Sequence, residues 1–286
     1  MNKVGYSKIK SLETPGDIFD LTGRVGVIVG GAGKMGQQFA KVLSRAGAQV
    51  VIADVDGKTC EELAHKIESS TGGKLVGLGC DVSSQEQVHD LFERVDKELG
   101  RLDFLVCSVM GKPDGYYRSF DNYTVDTWRK VLDSNLTGTF LCCRESRRLM
   151  RQSGAASIVM VSSIYGLVGP DQRIYGKCTP HKNPYGGPDN FNAPGSYAAS
   201  KGGLMAFARY LATLLGPDKI RVNVLTPGGV FDGQEKAFHQ EYVRRTPLGR
   251  MAVWSDYSGA ILFLVSDASR YMTGSNLVID GGWTAW

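Results

Sequence analysis

Short apolar, β-branched segments alternate with helical patterns along almost the whole of this 286-residue chain. The apolar segments lie at residues 24–29, 49–53, 74–78, 102–106, 156–161, 220–225 and 276–279. Continuous apolar strands are buried on both faces, and strands that alternate with helices form parallel sheets. The pattern therefore predicts one α/β domain, a doubly wound parallel sheet with helices on both faces. We expect an N-terminal arm at residues 1–19 and the domain at residues 20–286.

A glycine-rich turn stands between the first predicted strand and the first predicted helix. It fits the G-x-G-x-x-G pattern of dinucleotide-binding loops. Glycines allow a tight turn and close approach of a pyrophosphate, to which the next helix presents its N-terminal amides. The context predicts a Rossmann-like cofactor site with these loop residues: Gly30, Gly31, Gly33, Lys34, Met35 and Gly36.

Asp54 ends the second predicted strand. A carboxylate at this place can bond the ribose hydroxyls of a dinucleotide and would repel a 2′-phosphate. We therefore expect NAD rather than NADP. Two alternatives stay open, because Asp54 could be a simple helix cap and Lys34 could offset the repulsion.

Tyr197 and Lys201 stand four residues apart in Ser-Tyr-Ala-Ala-Ser-Lys, at the start of a predicted helix. Side chains at this spacing share one helix face. An ammonium beside a phenol lowers the phenol pKa, and such a tyrosine can exchange a proton with a substrate near neutral pH. The spacing also arises by chance, so it gains weight only from the dinucleotide loop.

The charge and cysteine patterns exclude several classes of protein. The formal net charge is +4 and no run of basic residues is present, so we expect no nucleic-acid partner. No apolar stretch has the length of a membrane span, and the N-terminus lacks the apolar centre of a signal peptide. Six cysteines show no metal-type spacing. We expect a cytoplasmic protein with free thiols, no metal and no membrane contact.

From about Asp20 to the C-terminus, further segments resemble those of short-chain dehydrogenases/reductases. The tail from Gly249 to the Asp280-Gly-Gly-Trp sequence is the most specific of them. The others are Asp81-Val82, Asn135-Leu-Thr-Gly, Val161-Ser-Ser-Ile-Tyr-Gly, Ser196 to Lys201, and Asn223 to Val230.

The resemblance implies an oxidoreductase that transfers a hydride between NAD(P) and a secondary alcohol or ketone. Tyr197 would be the general acid/base, and Lys201 would lower its pKa and bind the nicotinamide ribose. Ser163 would hydrogen-bond the reacting oxygen, and Asn135 would order a water of the proton relay. The family also implies a homotetramer. Further cofactor contacts would come from Asp81, Val82, Tyr197, Pro227, Gly228 and Val230.

The chain departs from the family pattern at three places. Val29 and Lys34 replace a threonine and the middle glycine of the loop, and Cys107-Ser-Val-Met110 replaces Asn-Asn-Ala-Gly. Residues 166–195 form an irregular segment, which we interpret as an insertion loop beside the substrate, because long loops inside compact domains are usually functional or disordered.

The insertion sets our expectation for the substrate. Its aromatic and basic residues suit a polar, hydroxylated, sugar- or polyol-like and even anionic molecule, with contacts from Tyr165, Arg173 and His181. A solvated surface loop is the alternative interpretation. Two other functions stay open: an NAD-dependent epimerase or dehydratase, and a cofactor-sensing regulator without turnover.

Overall fold

Seven parallel strands form one sheet in the computed structural model, which describes residues 14–175 and 192–286. The order across the sheet is β3-β2-β1-β4-β5-β6-β7. The doubly wound, Rossmann-like fold predicted from the sequence is thereby confirmed. The strands are β1 (Val25–Val29), β2 (Gln49–Asp54), β3 (Leu75–Gly79), β4 (Phe104–Cys107), β5 (Ala156–Val161), β6 (Ile220–Pro227) and β7 (Asn276–Ile279).

Helices cover both faces of this sheet, and successive side chains of each central strand enter opposite cores. Val27 and Val29 of β1 lie in the core beneath α4, α6 and α7, while Ile28 lies in the core beneath α2, α3 and α9. The helices are α1 (Pro15–Phe19), α2 (Lys34–Arg45), α3 (Gly57–Thr71), α4 (Gln85–Leu99), α5 (Val125–Leu132), α6 (Gly138–Ser153), α7 (Gly195–Leu215), α8 (Lys236–Arg244) and α9 (Ser258–Val265).

The register brings the carboxyl ends of the central strands level. Val29 pairs with Ala53 of β2 on one side and with Cys107 of β4 on the other. The order reverses between β1 and β4, and ligands of such sheets bind outside the carboxyl ends at this switch point. The fold therefore places the glycine turn and the residues after β2 and β4 along one edge.

Three local features differ from the sequence pattern. The sequence pattern of residues 125–150 is largely helical, but the structure divides this segment by a π-helical turn at Asp133–Thr137, and no sequence pattern indicated α8. Within the expected N-terminal arm, Pro15–Phe19 forms a short helix, which Thr14 and Asp17 cap reciprocally. Cap chemistry rather than apolar periodicity forms this helix.

Within residues 14–175 and 192–286, no helix combines the length and apolarity needed to cross a membrane. The same part of the chain holds no group of three or more His, Cys, Asp or Glu side chains arranged for a metal ion.

Candidate active site at the carboxyl edge of the sheet

The glycine turn after β1 is shaped by close backbone contacts. Gly30 has a φ of +74°, and a β-carbon on it would come within 2.5 Å of the Ser108 carbonyl oxygen. A β-carbon on Gly36 would come within 2.5 Å of the Gly30 oxygen, so α2 packs directly on the turn. Gly33 has more room, because a β-carbon on it would meet a single atom within 4 Å, the Gly30 oxygen, in a tight contact of 3.3 Å. The turn is therefore most open at Gly33. We call this turn at the N-terminus of α2 the glycine cradle, and an opening at this place is what dinucleotide binding requires.

Asp54 braces the turn from the neighbouring strand. Its carboxylate accepts hydrogen bonds from the amides of Ala32, at 3.1 Å, and Val55, at 2.9 Å. The helix-cap alternative does not hold, because Asp56 caps α3 by accepting from the Thr59 amide. Asp54 therefore lies at the carboxyl edge, beside the cradle.

The remaining predicted cofactor contacts lie along the same edge. Asp81 follows β3 and accepts from the amide and hydroxyl of Ser83, and Val82 packs closely on Gly138. Pro227 ends β6, and the Gly228 amide donates to the Ile279 carbonyl at 2.9 Å. Val230 forms an isolated β-bridge with Ala252, and Met35 packs on the hydrophobic core beneath α2.

Helix α7 carries Tyr197 and Lys201 against the ends of β4 and β5. The buried Lys201 ammonium donates to the carbonyls of Val161, at 2.9 Å, and Val109, at 3.1 Å. It lies 5.8 Å from the centre of the Tyr197 ring. Burial lowers the pKa of Lys201 to about 8. The ammonium thus joins two strand ends and faces the phenol.

The pKa of Tyr197 moves in the direction opposite to the one expected from the sequence. Burial of the phenol raises this pKa, and a hydrogen bond with Ser163 opposes the rise. The expected net lowering of the phenol pKa is therefore corrected: in the free protein the Lys201 ammonium is engaged by two carbonyls, and desolvation of the phenol outweighs the interactions that would lower its pKa. A raised pKa keeps the phenol protonated at neutral pH.

Asn135 lies in the π-helical turn between α5 and α6 and is fully buried. Its side-chain oxygen accepts from the Gly111 amide at 2.8 Å, and its amide donates to the Ser200 hydroxyl at 3.1 Å. Ser200 in turn donates to the Tyr197 carbonyl. The side chain therefore braces α7 against the loop after β4, and its predicted role in a water relay stays a prediction.

Serines after β5 fix the geometry on the other side of Tyr197. Ser163 caps a short turn by accepting from the Tyr165 amide at 3.2 Å. Ser162 is buried and donates to the Lys201 carbonyl at 2.8 Å. Sequence reasoning missed Ser162 and Ser200, and the only signal for either was its position near a predicted catalytic residue.

Backbone atoms explain how the site tolerates Cys107-Ser-Val-Met110. Cys107 ends β4 and is buried, and the Ser108 amide donates to the Val29 carbonyl at 2.9 Å. Val109 contributes its carbonyl oxygen to Lys201. Because these contacts use main-chain atoms, the changed side chains leave the described contacts among strand four, the turn and α7 in place.

Tyr175, in the first part of the predicted insertion, joins Tyr165, Tyr242 and Trp283 in an aromatic wall beside the site. The Tyr175 hydroxyl donates to the Tyr165 hydroxyl at 2.8 Å, and burial raises the pKa of Tyr165 to about 12. Tyr175 packs on Phe238 of α8. The Tyr242 ring stacks on Trp283, with centroids 4.2 Å apart. Ser163 caps the short turn that carries Tyr165, so the aromatic wall adjoins Ser163.

The other two predicted substrate contacts differ in their placement. The Arg173 guanidinium is bound to Asp171, and 84% of its side chain is exposed. A direct contact between Arg173 and a substrate stays a prediction. His181 lies outside the described residues.

Comparison with known proteins identifies the family. A family model described as enoyl-(acyl carrier protein) reductase matches residues 30–178 and 185–284. The trans-4-hydroxycyclohexanecarboxylate dehydrogenase of Sinomonas cyclohexanicum is 37% identical over 92% of this chain and 93% of its own. The chain belongs to the short-chain dehydrogenase/reductase family. The family resemblance inferred from the sequence motifs is thereby confirmed.

Solved structures of short-chain dehydrogenases superpose on almost the full chain. A short chain dehydrogenase from Leptospira borgpetersenii with bound NAD+ has a TM-score of 0.80 and 30% identity, covering 96% of this chain and 98% of its own. A gluconate 5-dehydrogenase from Burkholderia cenocepacia in complex with NADP and tartrate has a TM-score of 0.83 and 25% identity, covering 96% and 100%. These likenesses support NAD(P)-dependent oxidoreduction of an alcohol or ketone by this chain.

Proposed function

We propose that this protein is an NAD-dependent dehydrogenase that interconverts a secondary alcohol and a ketone. The observation that carries the proposal is the meeting of the Tyr197 phenol, the Ser163 hydroxyl and the Lys201 ammonium beside the glycine cradle. A bound nicotinamide ring would accept or deliver the hydride. The residues of the chain would hold the reacting oxygen and move its proton.

Each side chain has a role that follows from its contacts. In the reductive direction, the protonated Tyr197 phenol would donate its proton to the carbonyl oxygen. Ser163, which already hydrogen-bonds Tyr197, would hold the same oxygen. The Lys201 cation would stabilise the phenolate that remains. Asn135 would keep α7 in place and order the relay water.

The proposed preference for NAD rests on two charged residues, Asp54 and Lys34. Asp54 places a carboxylate beside the cradle, where a 2′-phosphate would meet like charge. The ammonium of Lys34 is paired with Asp232 after β6, so it does not neutralise Asp54. The dinucleotide would be held by Gly30 to Gly36, Asp54, Asp81 and the loop that follows β6.

The substrate that this site fits best is a hydroxylated ring. Tyr165, Tyr175, Tyr242 and Trp283 form an aromatic wall, in which the Tyr175 hydroxyl donates to that of Tyr165 and the Tyr242 hydroxyl accepts from the Gly229 amide. Such a wall suits the mixed polar and apolar faces of a sugar or cyclic polyol. The relative that acts on trans-4-hydroxycyclohexanecarboxylate supports a cyclic secondary alcohol.

A substrate panel tests the proposal. Cyclic polyols, sugars, sugar acids and hydroxycyclohexanecarboxylates are incubated with the protein and NAD or NADP, and the reduced cofactor is followed by absorbance. We expect NADH formation with at least one cyclic alcohol and a higher kcat/KM with NAD. Substrate turnover without net NADH would instead indicate an epimerase or dehydratase. Dinucleotide binding without turnover of any tested compound would favour the regulator.

A homotetramer is part of the same proposal. Phe140 on α6 and Tyr210 and Leu214 on α7 are 43%, 61% and 43% exposed. The Phe140 ring lies 6.2 Å from that of Phe207. Grouped exposed apolar side chains favour association. Light scattering after size exclusion should give four chains, and Tyr210→Glu should give a smaller species.

We also place the protein in the cytoplasm, since the five described cysteines are free and buried.

A further inference from the structure

Lys34 and Asp232 connect two chain segments that flank the glycine cradle. Lys34 is the first residue of α2, directly after the glycine turn, and Asp232 lies in the loop between β6 and α8. Their side chains form an ion pair, although 198 positions separate them in the sequence. The two side chains remain 60% and 41% exposed, so both are accessible to a ligand that enters the edge.

The topology of the sheet gives the direction in which Lys34 reaches. Asp54 ends β2, on one side of β1, whereas Asp232 follows β6, on the other side. By pairing with Asp232, the Lys34 ammonium turns away from the strand that carries Asp54. Because Lys34 is the first residue of α2, the ion pair forms at the end of the helix where the cradle would receive the pyrophosphate.

Asp232 is held at this place by its own turn. Its amide donates to the Gln234 side-chain oxygen at 2.7 Å, and the Gln234 amide group donates to the Val230 carbonyl at 2.8 Å. Gly233 has a φ of +76°, which favours glycine. The Phe231 amide bonds to Ala252. A hydrogen-bonded loop therefore holds the backbone of Asp232 in place, and its carboxylate faces Lys34.

Two anions would compete for one cation when a dinucleotide binds. The positive end of the α2 dipole and the Lys34 ammonium both attract the pyrophosphate, whereas the Asp232 carboxylate repels it and engages Lys34. We propose that Asp232 is a resident counter-ion of Lys34 that the pyrophosphate displaces, so that Asp232 weakens cofactor binding. The inference rests on the proposed function only in that the chain binds a dinucleotide at the cradle.

Calorimetric titration of the full-length protein with NADH and with ADP-ribose tests this inference. Asp232→Asn should lower both Kd values by about two- to fivefold, the range of an exposed ion pair. Lys34→Gln should raise them by a similar factor, and Asp232→Asn should have a smaller effect in that background. The shifts should diminish at high salt, because exposed charges are screened. Asp126→Asn, which breaks the exposed Asp126–Lys130 pair on α5, is the matched control and should change neither Kd.

The outcomes separate this inference from the proposed function. Weaker binding by Asp232→Asn would overturn it, because Asp232 would then help to hold the cofactor. An unchanged Kd in Asp232→Asn together with weaker binding in Lys34→Gln would also overturn it. If the wild-type protein binds neither ADP-ribose nor NADH, the proposed function itself fails.

Discussion

Replacing Lys201 with methionine is expected to change how the stability of the free protein depends on pH. Burial lowers the pKa of the native ammonium from 10.5 to about 8, whereas the unfolded chain titrates at the ordinary value. Between these values the native state binds fewer protons than the unfolded state. The wild-type protein therefore gains stability as the pH rises through this window, and the cost of burying the charge is fully present below pH 8.

The size of the effect follows from the two pKa values. One unit of pKa difference corresponds to about 1.4 kcal/mol, so burial of the charged group costs about 3 kcal/mol at pH 7. At pH 9.5 only about 1.4 kcal/mol of that cost remains. The wild type should accordingly gain about 2 kcal/mol of unfolding free energy relative to Lys201→Met between pH 7 and pH 9.5.

Urea unfolding under reducing conditions at several pH values measures this difference. The comparison between two proteins cancels the titration of groups that they share. Lys66→Met, which removes an exposed lysine on α3, is the control and should track the wild type. A difference between wild type and Lys201→Met that stays constant within about 0.5 kcal/mol from pH 7 to pH 9.5 would refute the reasoning. Lys201→Met should also lose turnover, whatever its stability.

Three further predictions concern the cofactor and the loop. Asp54→Ser should raise kcat/KM for NADP relative to NAD by about tenfold or more, because like charges in contact cost roughly 1–4 kcal/mol; an unchanged ratio would show that Asp54 does not select the cofactor. Gly33→Ala should fold with a near-normal melting temperature but bind ADP-ribose at least about tenfold more weakly, since its methyl group would fill the opening of the glycine cradle; normal binding by calorimetry would contradict this placement. Replacing residues 176–191 with a short glycine–serine linker should raise KM for the substrate and leave the Kd of NADH unchanged; unchanged rate and substrate preference would leave the loop without a role at the site.

The sheet could be predicted because each of its strands is a continuous apolar segment of the sequence. Once β1, β2 and β4 are parallel and in register, Gly30, Asp54 and Cys107 must lie on one edge. Periodicity could not give the π-helical turn around Asn135, since that turn is fixed by hydrogen bonds to Gly111 and Ser200 from distant segments. Helix α8 was not predicted from the sequence, because its buried side chains, Phe238 and Tyr242, pack on residues of the insertion rather than on the sheet.

The electrostatics of the site were the hardest part to predict. The four-residue spacing correctly placed Lys201 beside Tyr197, but it carried no information about how deeply the two side chains are buried from solvent. In the structure the partners of Lys201 are the carbonyls of Val109 and Val161, which no side-chain pattern marks. Burial then sets the direction of the Tyr197 pKa. Asp232 was missed for a similar reason, because its partner Lys34 is 198 positions away.

The turnover of Tyr197→Phe tests the central claim most directly. The substitution removes the phenolic hydroxyl and its hydrogen bond with Ser163, while the ring continues to fill its place on α7. Turnover of the alcohol identified by the substrate panel should fall at least about a hundredfold, the lower end for loss of a general acid or base. The Kd of NADH should stay within about twofold of the wild type, since the cradle is untouched. A variant that binds NADH and keeps near-normal turnover would contradict the assignment of Tyr197 as the proton-transfer residue.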